Sequence, residues 1–297
     1  MKKSSILRSC LFSLLIILVL CVQANAKAPW KWQMSLKTGA EVGAMRLPTT
    51  LYIDEAKEKY YVIDSGNNRL LSFDRKGTLL HAFNANNELD APSDMIRTES
   101  GEIWVVEKGH NSLTEINLAQ KQVTTHSISD QGQLVFPDRI EYNNDKFYVL
   151  DKATGNILVL DQNLGIQQRF SSPDETKSGG FVDFKLTEQN DLWALDQRKK
   201  AIYHFDPDGN ITNRVNFDEK VHSPVSFAIG KGGMFYILDR LDASISAFDP
   251  MGRYKYSFLG AGQAQGKLYF PSEIRFDPWG QLCIVDEGNG RVEIFSR

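Results

Sequence analysis

The chain has 297 residues, 42% hydrophobic and 24% charged, proportions that exclude a disordered or low-complexity protein. Lys and Arg number 34 against 37 Asp and Glu, a net charge of −3, which argues against a protein that tracks a phosphate backbone. Three cysteines, with no CxxC, CxxCH or HExxH spacing, exclude a disulfide-stapled scaffold, covalent haem and the common zinc patterns.

The N-terminus differs from the rest. Lys2, Lys3 and Arg8 precede an apolar run from Leu11 to Val22, and Ala24-Asn25-Ala26 follows. A basic start, a short apolar run and a small-x-small site predict a secretory signal peptide over 1–26, with export to the periplasm or cell exterior. The leader holds three basic residues and no acidic ones, so the mature chain of residues 27–297 carries −6. Leu18-Val19-Leu20-Cys21 resembles a bacterial lipobox. Lipidation of Cys21 is the alternative, opposed by Leu20 where a small residue is usual. Only Cys283 remains in the mature chain; it sits in an apolar strand and reads as a small buried hydrophobe.

Residues 30–36, WKWQMSL, put Trp30, Trp32, Met34 and Leu36 in alternation with polar residues, which predicts a strand with one buried face. A repeat then begins. An acid ends a YVxD-like strand at Asp64, Glu107, Asp151, Asp196, Asp239 and Asp286, at steps of 43, 44, 45, 43 and 47 residues. A short polar residue follows ten positions later in every copy, and a proline or its stand-in precedes at Pro48, Pro92, Pro137, Phe181, Pro224 and Pro271. Each unit reads as four short strands separated by Gly/Asn turns. The second strands are apolar on both faces, so both must be covered. A period near 45 predicts an all-β, six-bladed β-propeller with four-stranded antiparallel blades. Unit six ends after its third strand at Ser296. The 30–36 strand is therefore expected to complete it and close the ring, removing an open sheet edge.

The P-x-x-apolar opening, the YVxD strand, the GNNR-like turn carrying Arg69 or Arg291, the third-strand FD, and the join from Phe258 to Pro271 resemble the NHL-repeat family over the whole mature chain. That resemblance implies a six-bladed propeller and leaves function open. RNA binding, as in some intracellular NHL proteins, conflicts with the leader and the charge.

The repeated acids read as turn caps, with Asp64–Arg69 and Asp286–Arg291 spaced to pair. Residues that break the repeat are better candidates. Two positions after each proline stand Thr50, Asp94, Arg139, Asp183, Ser226 and Glu273, expected to ring one mouth of the channel. Asp94, Asp183 and Glu273 in alternate blades form a candidate site for a hard divalent cation such as Ca²⁺. Thr50, Arg139 and Ser226, with His110 and His222 from a turn and a join, are candidate ligand-binding groups. Propellers resembling the amidating lyase place histidines at the channel, whereas His81, His126 and His204 fall on outer strands here. Gluconolactonase-like propellers begin with a metal-binding Glu-Gly-Pro; this chain has Arg46-Leu47-Pro48. Gly260, Gly262 and Gly266 do not have phosphate-loop spacing.

Two functions follow from this reading. The first is an exported, non-catalytic scaffold that recognises a protein or peptide of the envelope or exterior. The alternative is a metal-dependent propeller lyase or hydrolase, with the cation held near Arg139.

Overall fold

The computed structural model describes residues 29–173, 179–187, 191–217 and 220–297. The expected leader, with Cys21, lies outside them. Six four-stranded antiparallel sheets follow one another in chain order. Their innermost strands are Pro48–Asp54, Pro92–Arg97, Pro137–Asn143, Phe181–Leu186, Pro224–Gly230 and Glu273–Phe276. The second strands, Lys59–Asp64, Ile103–Glu107, Lys146–Asp151, Leu192–Asp196, Met234–Asp239 and Leu282–Asp286, are buried over most of their length. A blade cannot cover both of its own faces, so each packs on its neighbours. The last core cluster shows this: Leu51, Tyr60 and Phe73 of blade one pack on Cys283, Val285 and Val292 of blade six.

Blade six is closed by the N-terminus. Lys31–Leu36 pairs antiparallel with Arg291–Ser296, and the sheet runs outward from Glu273–Phe276 to this strand. Leu36 is fully buried in the cluster that joins blades six and one. The alternation expected for 30–36 holds only in part. A register shift between Trp32 and Met34 turns Trp32 outward. It is 37% exposed, and its indole N–H donates to Glu293 at 2.7 Å. Trp30 instead packs edge-on to Tyr236, with ring centroids 5.6 Å apart.

The repeated acids hold the joins between blades. Asp64, Glu107, Asp151, Asp239 and Asp286 accept backbone N–H groups from Arg46, Asp90, Phe136, His222 and Tyr269, each just before its blade's innermost strand. Asp64 also pairs with Arg69 at 2.6 Å and Asp286 with Arg291 at 3.1 Å. A strand-end acid thus satisfies donors that no ladder can reach.

Candidate active site at the mouth of the channel

The geometry of the axis starts from a bulge. In blades one to five the pairing slips between the first residue of the innermost strand and the residue two on, as between Pro48 and Thr50 or Pro137 and Arg139. A bulge inserts an unpaired residue and breaks the alternation of side chains. Two consecutive residues per blade therefore contribute to the channel, at different depths.

The deeper ring holds the residues singled out from the sequence. Thr50, Asp94, Asp183, Ser226 and Glu273 are all buried. Asp94 accepts the N–H of Met95 at 2.8 Å and that of Ile140, in blade three, at 3.0 Å. Asp183 accepts the Ser226 hydroxyl at 2.7 Å and the Phe227 N–H at 3.1 Å, both from blade five. Glu273 accepts the Thr50 hydroxyl at 2.7 Å and the Leu51 N–H at 2.8 Å, from blade one. Each acid of an even blade clips the next blade.

Cations fill the space between them. Lys185 and Arg275 stand two residues after Asp183 and Glu273, on the same strand face. Lys185 Nζ lies 3.1 Å from Asp183 and 3.8 Å from Glu273; Arg275 lies 2.7 Å from Glu273 and 3.5 Å from Glu141. Arg139 approaches Glu273 at 4.0 Å and donates to the Ser272 carbonyl at 3.3 Å. The packing leaves no room for a water molecule among these side chains. Burial pushes the Glu273 carboxyl up, but Arg275, Lys185 and Arg139 outweigh it and hold it at about 2. Asp94 has less support: burial wins over Arg139 and raises it to about 6. Burial works against the charge of Arg139, and the facing acids more than offset it, so the guanidinium stays charged.

The shallower ring opens to solvent as a funnel of about 380 Å³. Thr49, Ser93, Asp138, Val182, Val225 and Ser272, one residue after each proline position, line it. Lys108, Lys152, Gln197, Arg240 and Glu287, one residue after the repeated acids, form its rim, and Arg139 its floor. Lys108 pairs with Asp138 at 2.7 Å and Arg240 with Glu287 at 2.7 Å. Burial raises the Asp138 carboxyl, yet Lys108 and Arg139 bring it below its usual range, so it is ionised at neutral pH. The Thr49 and Ser93 hydroxyls are buried without a hydrogen-bond partner in the protein, and Ser93 is only 3% exposed. A buried polar group left unpaired is uncommon and marks a place where something else supplies the bond.

The two histidines lie outside the funnel. His110 sits 3.5 Å from Glu107 and His222 2.6 Å from Asp242, both well exposed. Among the described residues, His222, Asp239 and Asp242 form an acidic group with ligand atoms within 4.8 Å of one another. Asp239 there already accepts N–H bonds from His222, Ser223, Leu241 and Asp242. A larger cleft of about 760 Å³ lies between blades two and three, lined by Glu102, Trp104, Glu115 and His126. Its polar groups answer one another: Thr98 and Ser100 donate to Glu102, and His126 meets Glu115 at 3.3 Å.

No family model matches the chain, and no curated protein matches it in sequence. Among solved structures it is similar to the virginiamycin B lyase of Staphylococcus aureus, at 16% identity over 84% of this chain and 80% of that one, TM-score 0.61. It is also similar to a streptogramin B lyase, at 13% identity over 90% and 97%, TM-score 0.63. A gluconolactonase from Xanthomonas campestris aligns at 16% identity over 90% and 95%, TM-score 0.62. At these identities the likeness shows the six-bladed propeller and nothing finer. The NHL resemblance accordingly stands for the fold and not for the family. The expectation of a non-catalytic scaffold is corrected: the named propellers on which this chain superposes are enzymes.

Proposed function

We propose that this chain is a catalytic propeller, a lyase or hydrolase, working at the channel mouth. The observation that carries this is the funnel itself, a preformed polar cleft at the open end of the innermost strands with two buried hydroxyls lacking partners. Sites of this kind hold a few convergent polar groups on a rigid scaffold. The groups suit proton abstraction followed by charge stabilisation. Asp138 and Glu287 are the carboxylates placed to take a proton. Lys108, Lys152 and Arg139 are placed to neutralise negative charge developing on a substrate oxygen. Thr49 and Ser93 offer hydroxyl donors to the same space.

We read Asp94, Asp183 and Glu273 as clips and counter-charges rather than cation ligands. Their oxygens already accept backbone and hydroxyl donors, Arg139, Lys185 and Arg275 supply the positive charge, and the space is closed to water. A divalent cation would find the more accessible donors in the exposed pair His222 and Asp242.

The test is turnover of quinupristin, held by an inactive variant of the Staphylococcus aureus virginiamycin B lyase, and of gluconolactone by the purified chain, with and without added Ca²⁺ or Mg²⁺. We expect turnover of one of them, reduced at least tenfold by Asp138→Asn. Absence of turnover on both, or full activity in Asp138→Asn together with Glu287→Gln, would overturn the reading.

A further inference from the structure

The mouth also constrains what it takes, and this inference rests on the reading that the mouth is the active site. Its two carboxylates are each ion-paired, Asp138 with Lys108 and Glu287 with Arg240. Of its free groups, Lys152 can only donate, and the Ser93 and Thr49 hydroxyls can donate or accept. Lys152 makes no ion pair within 4 Å among the described residues, although it lies close enough to Asp138 to lower that carboxyl's pKa. Ser93 and Thr49 hold unpartnered hydroxyls. A ligand that answers donors must present acceptor oxygens, and charged acceptors make the stronger bonds. The charge agrees: four cations line or floor the funnel against two carboxylates, in a chain whose net charge is −3. A recess with low-dielectric walls focuses such a field. The funnel is also two-sided. Thr49, Ser93 and Ser272 cover blades one, two and six, whereas Val182 and Val225 cover blades four and five.

We propose that the substrate carries an anionic group, a carboxylate or phosphate, seated between Lys152, Arg139 and the Ser93 hydroxyl, with an apolar body lying on Val182 and Val225. Two sources of the anion share this chemistry, and the apolar side favours a carboxylate on an apolar frame.

The test is calorimetric titration of the intact chain with benzoate, acetate and inorganic phosphate at constant ionic strength, because exposed basic patches attract any anion at low salt. Saturable binding of benzoate, tighter than acetate and weakened about tenfold or more in Lys152→Glu, supports the proposal. Phosphate binding tighter than benzoate, with the same loss, assigns the anion to a phosphate. The exposed Lys146→Glu, which lies off the funnel, is the control and is expected to bind as the parent does. No saturable binding of any anion, or binding that Lys152→Glu leaves unchanged, overturns it. Ser93→Ala supplies a second readout, expected to lower affinity several-fold without lowering the melting temperature. The two readings fail separately. Anion binding without turnover sinks the enzymatic one, whereas turnover of neutral compounds without anion binding sinks this one.

Discussion

Two rings of side chains, one residue apart in the sequence, do opposite things. In the deeper ring each carboxylate is tied to a neighbouring blade, and Asp183 and Glu273 are answered by cations. The shallower ring opens to solvent, and its cations outnumber its carboxylates. The difference teaches where polarity serves the fold and where it serves a ligand. A buried charge costs several kcal/mol unless paired and hydrogen-bonded, so the axis tolerates three acids only because every oxygen is used. The mouth keeps two hydroxyls unpaired in a recess open to a ligand.

This contrast can be broken most severely at Glu273. Glu273→Ala removes the nearest carboxylate from Arg275, leaving it Glu141 at 3.5 Å, takes a second carboxylate from Lys185 and orphans the Leu51 N–H. Urea denaturation should show a loss of about 3–5 kcal/mol. Asp183→Ala removes the clip from blade four to blade five, and a loss of about 1–3 kcal/mol is expected from the unsatisfied Phe227 N–H. At the mouth, Lys152→Met should change stability by no more than about 0.5 kcal/mol, since it removes an exposed group with no ion pair among the described residues.

The pH dependence sharpens the same contrast inside the deeper ring. Glu273 is held at about 2 against an ordinary 4.5, so its contribution is present above about 4.5 and lost as pH falls toward 2. Asp94 is raised to about 6 from 3.8, so its charge costs stability at neutral pH. That cost is relieved as pH falls through 6 and is gone below about 4. The two groups together predict a melting temperature that rises from pH 7 toward pH 5 and falls below about pH 4.5. Asp94→Asn should reduce the rise, the remainder coming from Asp277 and Asp286, whose carboxyls burial also raises, and leave the fall. A profile that falls steadily from pH 7 in the parent would contradict the assignment.

The blades were legible in the sequence because the repeat keeps a fixed ten-residue spacing between its marker residues, and strand closure was legible because Ser296 ends unit six one strand short. The alternation of Trp30, Trp32, Met34 and Leu36 was misleading at Trp32, since a bulge has no signature in hydrophobic spacing. The bulge also hid the site. Strict alternation assigns one channel residue per innermost strand end, so Thr50, Asp94 and Arg139 were visible and Thr49, Ser93 and Asp138 were not. The partners of the acids were written two residues on, in Asp183-Phe184-Lys185 and Glu273-Ile274-Arg275, a charge alternation on one strand face. The variable residue after each repeated acid, Lys108, Lys152, Gln197, Arg240 or Glu287, held the rim. Applying the rule that functional positions break the repeat to those neighbours would have found it.

The most direct test of the central claim compares turnover per folded molecule in two variants, with quinupristin and gluconolactone as substrates. Asp138→Asn is expected to lower turnover of the folded fraction at least tenfold, while Glu273→Gln lowers the melting temperature and leaves turnover of the folded fraction intact. Loss of turnover in the well-folded fraction of Glu273→Gln, with Asp138→Asn fully active, would place the chemistry at the axis and contradict it.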